Sequence, residues 1–176
     1  RLPVSLELAL LAMVCGVLVG LPAGILAAIR QDSWVDHLCR TVAVGGLCIP
    51  GFWLATLVIV TASIHWRWMP PMRFTPFVQD PLANVSQFIL PALILGFALS
   101  ASLMRMTRSV ILETLQEDYI RSARAKGLRE SAVIVRHALR NAMIPVVTVM
   151  GLQLSALIGG TVIMESIFVL PGMGRF

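Results

Sequence analysis

The chain has 176 residues, of which 57% are hydrophobic and 13% charged, with a formal net charge of +5 and a mean hydropathy of +0.85. An ordinary soluble domain carries about 25% charged residues, so this composition excludes one and points to a chain whose solvent is largely lipid. Cys15, Cys39 and Cys48 lie in or beside apolar runs, which suits packing residues and not a disulfide framework.

Four runs, Leu8–Ile29, Thr41–Ile64, Leu82–Met104 and Asn141–Met164, contain no Asp, Glu, Lys, Arg or His and are 22 to 24 residues long. About 20 apolar residues in a helix cross the hydrocarbon core, and in lipid only a helix or a closed barrel satisfies its own backbone. Barrel strands would alternate in polarity over about ten residues; these runs are apolar at successive positions, so each predicts one membrane-crossing helix. The chain starts at Arg1 without Met or signal peptide and stops soon after Pro171-Gly172, which reads as an internal segment of a longer polytopic protein.

Four crossings place 30–40 and 105–140 on one side, and 65–81 with both ends on the other. Arg30, Arg40, Arg105, Arg108, Arg121, Arg124, Lys126, Arg129, Arg136 and Arg140 fall on the first side. Only Arg1, Arg67, Arg73 and Arg175 fall on the second. The positive-inside rule makes the first side cytoplasmic. The outer segment 65–81 carries Trp66 and Trp68 among four prolines, as expected of an interfacial aromatic belt and a rigid non-helical crossing.

Within the cytoplasmic loop, Asp118–Leu128 reads as a short amphipathic helix. Tyr119, Ile120, Ala123 and Gly127 share one face, and Arg121 and Arg124 the other. Gly127 permits a sharp turn, after which a second helix from Glu130 leads back into the membrane. These residues by themselves leave two readings open: an interfacial helix whose cations meet anionic headgroups, or a small-residue face fitted to a groove on a cytoplasmic partner.

The stretch Tyr119-Ile-Arg-Ser-Ala-Arg-Ala-Lys-Gly-Leu128, followed by His137-Ala-Leu-Arg-Asn-Ala142 and Ile144-Pro145, closely resembles the loop of binding-protein-dependent ABC importer permeases of the dipeptide, oligopeptide and nickel branch. Val4–Leu10 is similar to that branch's second membrane helix and Pro50–Leu54 to its third. Leu157–Glu165 with Pro171–Arg175 is similar to its fifth helix and the segment after it. The broad importer motif has Glu-Ala-Ala where this chain has Arg121, Ser122 and Ala123; the peptide branch shares Ala-Arg-Ala-Lys-Gly. On this resemblance, residues 1–176 are an importer transmembrane domain without the family's first and last membrane helices.

The resemblance implies an all-α, polytopic helical bundle in the bacterial or archaeal inner membrane. Tyr119, Arg121, Ala123, Arg124, Lys126 and Gly127 would form a coupling helix docked in a separate cytoplasmic ATPase subunit, where ATP is used. Further implied partners are a second permease subunit, identical or similar, an external solute-binding protein and membrane lipid, but no nucleic acid. Di- or oligopeptides are the expected solute, with nickel and glutathione as alternatives.

No G-x-x-x-x-G-K-[ST] phosphate loop occurs, and His37, His65 and His137 are scattered without ligand spacing; no catalytic, cofactor or metal residue is expected. An ion-driven transporter would carry acidic or His residues within its spans, and these four have none. Thr148, Gln153, Ser155 and Thr161 are candidate pathway residues, or equally makers of interhelical hydrogen bonds. Glu165 is a helix-end carboxylate at the water interface or a gate. Gly45, Gly46, Gly51, Gly151, Gly159 and Gly160 are expected where helices approach closely.

Overall fold

A computed structural model describes residues 1–71 and 74–174; Arg73 and Arg175, counted above on the outer side, lie outside the described residues. All regular structure among the described residues is helical. The helices are α1 (Leu2–Ile29), α2 (Trp34–Cys48), α3 (Gly51–Trp66), α4 (Pro81–Leu115), α5 (Asp118–Ala125) and α6 (Glu130–Ile167). The first turns of the long helices follow local chemistry. Pro81 occupies the start of α4, where its missing N–H costs nothing, and Asp80 accepts from the N–H groups of Leu82 and Ala83 at 3.1 Å.

The run Thr41–Ile64 is not one helix. It breaks between α2 and α3, whose axes bend by 94°. Pro50 has no N–H to continue the ladder and pushes Ile49 out of the helical region, to φ −89° and ψ 116°. Three helices are individually long and apolar enough to cross a membrane; the bent pair α2–α3 supplies the fourth crossing if it is taken as one span.

The centre of the bundle is the seam between α1 and α4. Gly16, Gly20 and Gly24 recur every four residues on α1 and press against Leu99, Ser100 and Met104 of α4, while Gly96 of α4 abuts the carbonyl of Ala12. A Cβ at Gly20 would fall 2.6 Å from the Ser100 carbonyl oxygen, so only glycine permits this approach of backbones. Of the glycines expected at close contacts, Gly46, Gly51 and Gly160 have neighbours. Gly45, Gly151 and Gly159 face open space.

Side chains tie the two ends separately. At one end Val4, Leu8, Phe88, Met164, Phe168 and Leu170 cluster, and Asn84 donates to the Thr75 carbonyl at 3.0 Å. At the other, Ala28, Ile111 and Ala142 meet, and Asp36 pairs with Arg108. Segments 30–40 and 105–115 therefore share one end, as the arginine count requires. The helix α4 runs eleven residues past Met104, the last position of its uncharged run, and carries Arg105 and Arg108 beyond that run.

Candidate functional site

The short helix α5 and its joint to α6 form the site. Its apolar residues are consumed inside the chain: Ile120 and Ala123 are buried against Val133 and Ala138 of α6, with Leu115 of α4 alongside. Ala123 was expected to face a partner. The structure instead places it against the chain's own α6, because α6 turns back directly beneath α5. The open face of α5 carries Arg121, Ser122, Ala125 and Lys126.

Gly127 ends the helix. Its φ is +76°, its N–H donates to the Arg124 carbonyl at 2.9 Å, and the Leu128 N–H reaches the Ala123 carbonyl at 3.4 Å. This pair of bonds is the Schellman arrangement, in which the residue after the cap takes left-handed geometry. A Cβ at Gly127 would meet nothing within 4 Å, so the glycine is demanded by the backbone and not by a close neighbour.

Two solvent-exposed polar links join α5 to α6 across that turn. Arg124 grips Glu130 with Nη2 and Nε, at 2.7 and 3.2 Å; the hydrogen bond raises the guanidinium's pKa above its ordinary value. Asn141 donates through Nδ2 to the Tyr119 hydroxyl at 3.0 Å. Arg121 lies 3.4 Å from Asp118 on an open surface, a contact too exposed to hold it. Beyond these links the first part of α6 is wound as a π-helix over Val133–Leu139, a wider turn often found at functional sites, and Pro145 follows inside the same helix. Sequence reasoning missed Glu130 and Asn141 as partners; the Arg124-to-Glu130 spacing across Gly127 was the available signal for the first.

The pathway candidates divide. Thr148 and Ser155 are exposed on α6, Gln153 donates to the Ser102 hydroxyl of α4 at 3.2 Å, and Thr161 is buried with its hydroxyl on the Ile158 carbonyl. Only 17% of the most apolar window of α6 is buried, against 67% for α4, so Thr148, Gly151, Ser155 and Gly159 lie on an unpartnered face. Glu165 is not a surface carboxylate. It is fully buried, accepting from the Ser5 hydroxyl at 2.5 Å and from the Gly174 N–H at 2.8 Å. Ser5 in turn accepts from the Met173 N–H at 3.0 Å. The carboxylate thus clasps the segment 171–174 to α1, past Val169, whose φ of 58° is costly for a β-branched residue.

Comparison with known proteins agrees with the helical architecture and the loop. Residues 20–176 match the family described as binding-protein-dependent transport system inner membrane component. Over 175 residues, 99% of this chain, the sequence is 46% identical to a Brucella abortus protein named for a peptide transport system permease. It is 42% identical over its whole length to the dipeptide transport system permease protein of Escherichia coli K12. Over 97% of its length it is 43% identical to the glutathione transport system permease protein of Escherichia coli O1:K1. The chain spans little more than half of these relatives, 56%, 59% and 53% of their respective lengths. With the family model covering most of the chain, and the long apolar helices suited to a membrane protein, this protein belongs to the binding-protein-dependent transport system inner membrane components.

Proposed function

We propose that this chain is part of the permease of an ATP-driven importer of peptides, and that α5 is its coupling helix. One observation carries the reading. Because α5 is fixed to α6 by Tyr119–Asn141, by Arg124–Glu130 and by the buried Ile120 and Ala123, a push on its open face moves a membrane-crossing helix. Such a joint passes on the motion of a partner that contacts it differently in two states. ATP is hydrolysed in separate cytoplasmic subunits. A second permease, identical or similar, completes the path, and an external binding protein selects the solute. The names of the relatives support a peptide or a peptide-derived solute such as glutathione.

In this reading Arg121 and Lys126 meet acidic groups of the ATPase, while Ala123, Arg124 and Gly127 shape the joint. The test is co-purification of the full-length permease with its ATPase, before and after the change Arg121→Glu with Lys126→Glu. Loss of the ATPase from an otherwise intact, membrane-inserted permease is the expected result. Unchanged co-purification and uptake would remove α5 from the interface.

A further inference from the structure

Between α1, α2 and α4, at the arginine-rich end, lies a cavity of about 250 Å³. Its buried wall is apolar, formed by Ala27, Ala43 and Met104. Its open rim carries Arg40 and Arg105. No carboxylate is among its lining residues. The third guanidinium at the cavity, Arg108, spends Nε and Nη2 on Asp36 at 2.6 and 2.7 Å. That pairing satisfies the one nearby buried acid; Arg40 keeps a longer 3.5 Å contact with it through Nε and turns Nη2 to the His37 ring at 3.4 Å. Arg105 has no hydrogen-bond or ion-pair partner among the described residues.

The depth of the cavity is fixed by the sequence. Met104 closes the uncharged run of α4, Ala27 stands two residues before the end of that of α1, and Ala43 stands two after the start of the run beginning at Thr41. The cavity therefore sits where hydrocarbon gives way to headgroups in the cytoplasmic leaflet. An apolar recess with two exposed guanidinium groups above it, Arg105 unpaired and Arg40 only loosely paired, fits an amphiphile with an anionic phosphate, since guanidinium pairs with phosphate oxygens in a planar fork. A soluble phosphate would have no use for the apolar wall.

We propose that this cavity is a binding site for the phosphate headgroup of an anionic phospholipid of the cytoplasmic leaflet, held by Arg40 and Arg105. The site staples α2 to α4 beside the Asp36–Arg108 pair, so an occupant fixes the bent segment at its cytoplasmic end.

The test uses the full-length permease in nanodiscs of phosphatidylcholine with added phosphatidylglycerol or phosphatidylethanolamine, with retained lipid read by native mass spectrometry. Wild type is expected to retain phosphatidylglycerol. The double change Arg40→Gln with Arg105→Gln is expected to retain about tenfold less, with phosphatidylethanolamine unaffected. Arg105→Gln alone, which breaks no contact within the chain, is expected to give an intermediate loss. Equal phosphatidylglycerol retention by wild type and the double variant would overturn the site, as would a parallel loss of phosphatidylethanolamine. Stripping of phosphatidylglycerol from wild type by millimolar inorganic phosphate would reassign the cavity to a soluble anion and end the lipid proposal.

Discussion

Asp36 and Arg108, 72 residues apart in sequence, are joined by two parallel hydrogen bonds of 2.6 and 2.7 Å, with Asp36 wholly out of solvent. The pair fastens the start of α2 to the extension of α4 beyond its uncharged run, on the near side of the break at Pro50. A bidentate fork of this kind is the strongest geometry available to an ion pair, and removing one partner strands the other.

Replacing Asp36 by Asn should therefore destabilise the protein by on the order of 3 kcal/mol, the usual cost of breaking a buried pair. Thermal unfolding in detergent measures it. In a double-mutant cycle, adding Arg108→Met to Asp36→Asn should cost much less than Arg108→Met does alone; simple additivity would show that the pair is not coupled.

The clasp at the outer end makes a similar prediction through sterics. A Cβ at Gly172 would lie 2.1 Å from the Glu165 carboxyl carbon, so Gly172→Ala should destabilise by about 1–3 kcal/mol, as overpacking does. In a Glu165→Ala background the same change should be nearly free. Proteolytic cleavage rates within 169–174 report both.

Gly127 tests the joint without touching any partner. Its positive φ and open surroundings mean that Gly127→Ala should cost about 1 kcal/mol from backbone strain alone. Gly127→Asn, which tolerates left-handed geometry better, should cost less. Hydrogen exchange of the α5 amides resolves the two; an equal effect of both would shift the explanation to contacts.

Along the central seam, Gly20→Ala should lower the unfolding temperature in detergent, because a Cβ meets the Ser100 backbone, which cannot rotate away. A cost of about 1–3 kcal/mol is expected. Gly151→Ala faces open space and should leave the unfolding temperature unchanged or slightly raised.

Much of the fold was legible in the sequence for one reason: lipid leaves the backbone few options. An uncharged run of more than twenty residues has to be helical, so α1, α4 and α6 could be placed, and the arginines could be assigned to one end. The break after Cys48 was also written there, in Ile49-Pro50-Gly51, but the apolar character of the whole run masked it. Glycine positions were read less well. Composition shows that a glycine is small, and says nothing of whether a neighbour comes close; Gly16, Gly20, Gly24 and Gly96 line the seam, while Gly45, Gly151 and Gly159 meet nothing.

The sequence by itself determined an all-helical membrane chain with its arginines gathered at one end, and a short helix ended at Gly127, because apolar length, charge placement and glycine geometry act locally along the chain. Only the tertiary structure decided that Ile120 and Ala123 are spent on α6, that Glu165 clasps residues 171–174, and that Asp36 meets Arg108. Those outcomes depend on which faces meet when helices far apart in sequence pack together, and a side chain's partner across such a distance leaves no periodic trace in the chain that carries it.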